Sequence, residues 1–63
     1  MTQSIDDGLA DVQIQTNSKV WVTISRVANN LQRIDFEMRS VKSRYPDSRV
    51  RAVDNDGSLI DLI

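Results

Sequence analysis

The chain has 63 residues, a net charge of -1, and neither cysteine nor histidine. A chain this short forms one domain at most and buries only about 60% of the surface that its unfolded form exposes. The composition excludes a disulfide framework and a zinc site, which leaves self-association as a means of stabilisation.

The charges are segregated along the chain. Residues 19–51 hold all eight basic side chains and three acidic ones, so this segment carries 8 - 3 = +5. Three acidic residues on each flank bring the total to -1. Such a distribution is typical of a basic binding face, and it is also compatible with an ordinary solvated surface.

Residues 1–10 show no apolar periodicity, which predicts a flexible acidic N-terminal arm followed by a single domain at 11–63. The sequence has no apolar run of the length that a signal peptide or membrane span requires. We therefore expect a cytoplasmic protein that does not contact a membrane.

Two segments that alternate apolar and polar residues, 11–15 and 19–25, predict the first two strands. A turn at residues 16–18 joins them into a hairpin that pairs Ile14 with Val20 and Val12 with Val22. This register places the apolar set on one face of the sheet: Val12, Ile14, Val20, Val22 and Ile24.

The period then changes to that of a helix. Asn29 and Gln32 fit the capping-box pattern, and Pro46 marks the end of the helix. Pairs of opposite charge at i,i+4 lie on its flanks, Arg33 with Glu37 and Asp35 with Arg39. The apolar stripe that we expect to face the sheet consists of Leu31, Ile34, Met38, Val41 and Tyr45.

The stretch Asp54-Asn55-Asp56-Gly57 allows two interpretations, a calcium loop or a turn. The spacing of its acidic residues does not match a calcium loop, whose glycine stands at position 6. A three-residue hairpin loop with Gly57 at positive φ fits better, and we expect no metal site or cofactor. The register that follows pairs Val53 with Leu59, Ala52 with Ile60, Arg51 with Asp61 and Val50 with Leu62.

These elements predict an α+β fold, a two-layer ββαββ arrangement in which two antiparallel hairpins form a sheet and one amphipathic helix packs on one face. The pattern does not determine the strand order. We expect Val50, Ala52, Ile60 and Leu62 to complete the core.

The second face of the sheet remains uncovered in this fold. By alternation it carries Gln13, Gln15, Lys19, Trp21, Thr23, Arg49, Arg51, Val53, Leu59, Asp61 and Ile63. One interpretation is a dimer interface with Trp21, Val53, Leu59 and Ile63 at its centre. The other is a nucleic-acid platform, in which Trp21 stacks on unpaired bases while Lys19, Arg49 and Arg51 contact phosphates.

Phe36 is a second unusual residue, because it falls on the outer side of the predicted helix. It is either a contact for a partner or dimer, or a single exposed apolar residue of the common kind.

The run from Leu31 to Ile60 combines a helix ending in Arg-Tyr-Pro-Asp, a basic alternating strand, an Asn/Gly turn and a further strand. About half the chain thereby resembles the middle of the DinI-like damage-inducible proteins, which modulate a recombination filament through protein contacts. The sequence departs from that family by lacking its acidic C-terminal helix, so the resemblance implies an architecture and not a function.

The residue types argue against an enzyme. A serine or threonine nucleophile would lack its usual base, and the carboxylates are scattered over termini and loops. We expect a small interaction or regulatory module that is not catalytic, forms a homodimer and binds a larger protein. The alternative is a nucleic-acid-binding protein that uses the basic central segment.

Overall fold

The computed structural model describes residues 8–63 and contains four strands and one helix. In chain order these are β1 (Leu9–Gln15), β2 (Trp21–Ala28), α1 (Leu31–Arg44), β3 (Val50–Val53) and β4 (Leu59–Leu62). The predicted ββαββ order and α+β class are confirmed.

The strands form one antiparallel sheet in the order β2-β1-β3-β4. The two hairpins therefore meet along β1 and β3, while β2 and β4 form the edges. Helix α1 packs against β1, β2 and β3. We call the covered side of the sheet the helix face and the uncovered side the open face.

The core lies between α1 and the helix face. Its buried residues are Ala10, Val12, Ile14, Val27, Ile34, Met38, Val41, Val50 and Ala52, with Ile24 and Ile60 partly buried against them. Five residues expected in this core are instead exposed, namely Val20, Val22, Leu31, Tyr45 and Leu62. They lie at the outer ends of the strands and of the helix, beyond the area that one short helix covers.

The first hairpin differs from the predicted register. Ile14 pairs with Val22, and a bulge then inserts Ile24 as an extra residue, so that Val12 pairs with Ser25. Two successive residues of a bulged strand oppose one residue of its partner, which shifts the alternation that follows. Ser25 consequently faces the helix, where its hydroxyl donates to Glu37 Oε2 at 2.8 Å.

The second hairpin contains a similar bulge. Val53 pairs with Leu59 as predicted, and the extra residue Ile60 then moves the register by one. Asp61 pairs with Ala52, and Leu62 with Arg51. The predicted pairing of Arg51 with Asp61 is therefore wrong, and so is the placement of Leu62 on the helix face.

Both hairpin turns have the same hydrogen-bond pattern. The N–H of Asp54 donates to Ser58 O at 2.9 Å, and the N–H of Gly57, at φ 83°, donates to Asp54 O at 2.9 Å. This confirms the predicted turn. In the first hairpin, the N–H of Thr16 donates to Val20 O, and Lys19 takes the position of positive φ, at 69°.

Asn30, and not Asn29, caps the helix. Its side-chain oxygen accepts hydrogen bonds from the N–H groups of Gln32 and Arg33. The helix ends at Arg44, two residues before Pro46, as predicted. The Asp35–Arg39 pair forms at 3.0 Å, whereas Glu37, expected to pair with Arg33, accepts from Ser25.

The N-terminal boundary lies earlier than expected. β1 begins at Leu9, and Ala10 is buried in the core, because it pairs with Val27 at the end of the hairpin. Of the flexible arm that we predict for residues 1–10, residues 1–7 lie outside the described part of the chain.

Candidate interaction surface

A row of polar side chains crosses the open face. The Arg51 Nε donates to Gln13 Oε1 at 2.7 Å, and the Gln13 amide donates to Thr23 Oγ1 at 3.0 Å. The Arg51 guanidinium also lies over the ring of Trp21, with 4.2 Å between its Cζ and the ring centroid. Such a cation–π contact holds both side chains against the sheet.

The residues predicted to contact nucleic acid are brought together only in part. Trp21 and Arg51 are in contact. The carbonyl of Arg49 accepts from the N–H of Gln15, so Arg49 is opposite Gln15 in the adjacent strand and its side chain lies on the same, open face. Lys19 occupies the hairpin turn. The guanidinium of Arg51 is already committed to Gln13 and to one face of the Trp21 ring.

The residues predicted for a protein interface are also divided. Val53 lies on the open face but is only 5% exposed, so it offers little contact area, whereas Leu59 is well exposed. Ile63 exchanges backbone hydrogen bonds with Val50, which places it on the helix face and not on the open face as predicted. Leu62 takes its place on the open face, a consequence of the bulge at Ile60.

Phe36 is 67% exposed on the outer side of α1. Because Trp21 faces the open side of the sheet, the two aromatic residues lie on opposite sides of the domain. One contact surface of modest size therefore does not include both of them.

The start of the edge strand β2, together with the residue before it, has backbone groups that point out of the sheet. We call this segment, Val20 to Thr23, the β2 edge. The N–H of Thr16 donates to Val20 O at 2.8 Å, and hydrogen-bonded pairs alternate along an antiparallel ladder. The N–H and C=O groups of Trp21 and Thr23 therefore point away from β1, out of the sheet.

Apolar side chains flank these outward groups. Val20 is 55% exposed and Val22 is 41% exposed. Both project on the helix face, in a part of that face that the helix does not cover. β-Branched residues suit a pleated, half-buried surface. An exposed pair of them beside open backbone groups is typical of a strand that can accept a further strand.

The edge at β4 is built differently. Leu62 lies between hydrogen-bonded positions, since the N–H of Ile63 donates to Val50 O at 2.8 Å. The N–H of Leu62 therefore points outward, but it donates to the carboxylate of Asp61 at 2.8 Å. The bulge at Ile60 also breaks the regular spacing of outward groups along β4.

Several carboxylates have structural partners. Asp11 pairs with Arg26 at 2.7 Å, and Asp54 accepts from the N–H groups of Asp56 and Ser58, each at 2.9 Å. Among residues 8–63, no three acidic residues are grouped closely enough to hold a metal ion.

Sequence reasoning missed the exposure of Val20 and Val22. Their alternation with Trp21 and Thr23 identified a strand but could not show that it forms an edge. No signal in the sequence distinguishes them from Val12 and Ile14, which alternate in the same way and are buried.

Searches of family models, curated proteins and solved structures found no match, and they give no support to the resemblance of residues 31–60. Within residues 8–63, the structure contains no helix that is long and apolar enough to span a membrane.

Proposed function

We propose that this chain is a small protein-interaction module that is not catalytic, of the kind that regulatory and accessory proteins provide. Its binding element is the β2 edge, which pairs with an extended segment of a partner protein. The observation that carries this proposal is the difference between the two sheet edges. β2 presents outward backbone groups beside exposed valines, whereas the outward N–H of Leu62 in β4 is already bonded to Asp61.

Strand addition uses main-chain hydrogen bonds for affinity and alternate side chains for specificity. Trp21 and Thr23 each offer one N–H and one C=O, and each bond contributes a net of about 0.5–1.5 kcal/mol. Burial of the exposed valines adds to this contribution. Association costs at least about 4 kcal/mol in lost freedom of motion, so the affinity depends on apolar burial as well as on these four hydrogen bonds.

The placement of the carboxylates supports a role without catalysis. Asp11, Asp54 and Glu37 are held by an arginine, by backbone amides and by a serine, respectively. A general acid or base needs a carboxylate that is free to reach a substrate.

The alternative function, binding of single-stranded nucleic acid, rests on the position of Trp21, Arg49 and Arg51 on one open face. Fluorescence titration of Trp21 with mixed-sequence oligonucleotides, at about 50 and 200 mM salt, tests it. Saturable quenching that weakens with salt and is lost in Arg49→Ala/Arg51→Ala would favour this alternative. We expect no saturable quenching.

The test of the proposed function is a backbone change that leaves every side chain in place. A 63-residue chain is accessible to chemical synthesis, so Thr23 can be replaced by its N-methyl form, which removes one outward donor. The matched control is N-methylation of Leu59, whose N–H also points outward, but from the other edge. Both chains serve as bait in an extract of the native host, beside the unmodified chain.

We expect a protein that is retained by the unmodified chain and the Leu59 control and is lost with N-methyl-Thr23. Amide hydrogen exchange of the purified complex should then slow at Trp21 and Thr23. A partner retained equally by all three chains would refute the β2 edge as the binding element.

A further inference from the structure

We infer that the β2 edge pairs with a second copy of itself, in an antiparallel register with a two-fold axis at Val22. This inference rests on the proposed function, and it names the partner as an identical chain. The resulting dimer has one continuous eight-stranded sheet, with the two β2 strands at its centre.

The positions of the outward groups determine this register. When Val22 lies opposite Val22 of the second copy, Trp21 lies opposite Thr23, and Thr23 opposite Trp21. Both of these residues point their N–H and C=O groups outward. Each of the two residue pairs therefore exchanges two hydrogen bonds, and every outward group of the segment is used.

Neighbouring registers use fewer of these groups. With the axis at Trp21, Thr23 would face Lys19, whose N–H already donates to Thr16 O. With the axis at Thr23, Trp21 would face Ser25, which the bulge at Ile24 turns inward to pair with Val12. Either register keeps only the central residue pair, so the arrangement around Val22 has about twice the hydrogen bonds.

The side chains also match their own copies in this register. The two Val22 side chains meet on the helix face, and Val20 meets the partly buried Ile24 of the second copy. Charge is compatible, because Lys19 falls opposite Ser25 and Arg26 falls opposite Ser18. No like charges are opposed, and opposed like charges would destabilise the pairing.

The sequence provides a specific test, because the chain contains no cysteine. Val22 would occupy a non-hydrogen-bonded pair, where opposite Cα atoms lie about 4.5 Å apart, within the range that a disulfide bridges. We therefore expect Val22→Cys to form a covalent dimer under mild oxidation. Val20→Cys alone should not, but a mixture of Val20→Cys and Ile24→Cys chains should yield the mixed dimer.

Sedimentation equilibrium of the chain without cysteine gives an independent measurement. We expect a dimer at micromolar concentration, with N-methyl-Thr23 raising the dissociation constant by about tenfold or more. Phe36→Ala serves as the control, since Phe36 lies on the outer side of the helix, and it should leave the dissociation constant unchanged.

The two proposals fail separately. A chain that stays monomeric at about 100 μM and gives no Val22→Cys crosslink overturns the dimer. The proposed function survives that result if a different protein is lost with N-methyl-Thr23. A dimer that is insensitive to N-methyl-Thr23 and crosslinks better through Val20→Cys than through Val22→Cys overturns both the register and the binding edge.

Discussion

At the scale of single residues, the two hairpin turns show what composition can and cannot predict. Gly57 at positive φ was predictable, because the stretch Asp-Asn-Asp-Gly contains a glycine at the position that such a turn requires. The equivalent position of the first turn holds Lys19. A side chain there is uncommon, so nothing in Thr16-Asn17-Ser18-Lys19 distinguished a loop at residues 17–19 from the predicted loop at 16–18.

Lys19 should therefore be replaceable with a gain in stability. We expect Lys19→Gly to raise the free energy of unfolding by up to about 1 kcal/mol, because glycine adopts positive φ without strain from a Cβ atom. Urea unfolding followed by Trp21 fluorescence, at a fixed protein concentration, measures the change. A loss of stability would show that the Lys19 side chain contributes more than its backbone strain costs.

The reciprocal change is the control. We expect Gly57→Val to lower the free energy of unfolding by about 1 kcal/mol or more, since a β-branched residue is poorly accommodated at positive φ. A Cβ atom at Gly57 or at Gly8 would meet no atom within 4 Å, but only Gly57 has a positive φ. Gly8→Ala should therefore have little effect, which separates backbone conformation from crowding.

At this scale, the sequence predicts which residues belong to the candidate site but not the contacts between them. Alternation placed Trp21 and Arg51 on one face, and the structure puts them in contact. It could not predict that Gln13 holds Arg51, or that Asp61 bonds to the N–H of Leu62. Both contacts depend on strand neighbours and registers, which a single sequence does not contain.

At the scale of elements, periodicity predicted the four strands and the helix, and the errors arose at the bulges. Strict alternation places Leu62 on the helix face and Ser25 on the open face, and the structure shows the reverse for both. A signal for the first bulge exists in the sequence, because the apolar residue after Ile24 is Val27, three positions on, where alternation requires an even step. Bulges relocate side chains in this way while the strand continues.

The helix start gives a further prediction. Asn30 accepts two backbone hydrogen bonds at the helix N-terminus. We expect Asn30→Ala to lower the free energy of unfolding by about 1 kcal/mol, the usual contribution of such a cap. Asn29→Ala is the control, because Asn29 contributes its backbone N–H to Gly8 O and keeps it after substitution. Equal losses in urea unfolding would contradict the assignment of Asn30 as the cap.

At the scale of the whole molecule, the strand order separates two edges of different character. The sequence could not predict this order, because alternation states which face a residue occupies and not which strands are neighbours. β2 joins the sheet through β1 alone, and β4 through β3 alone. In the assembly that we propose, the number of copies therefore depends on whether the outward backbone groups of each edge strand are free or already bonded.

Removal of the carboxylate at β4 should open the second edge. In Asp61→Ala the outward N–H of Leu62 loses its partner, beside the exposed Leu59 and Ile63. We expect species larger than a dimer in sedimentation velocity at concentrations where the unmodified chain forms none. Asp35→Ala makes the same change of charge on the helix surface, and equal growth of both variants would indicate a charge effect instead.

In the dimer that we propose, the carboxylate of Asp61 leaves each copy one reactive edge, because it occupies the outward N–H of Leu62 at the other edge. A subunit with one reactive end can only terminate an assembly, so its product has a fixed stoichiometry however concentrated the solution becomes. A subunit with two reactive ends propagates, and the mean length of its chains grows with concentration, as in any linear polymerisation. In this proposal, one hydrogen bond of 2.8 Å, donated by the amide of Leu62 to Asp61, decides which of the two kinds of subunit the chain is.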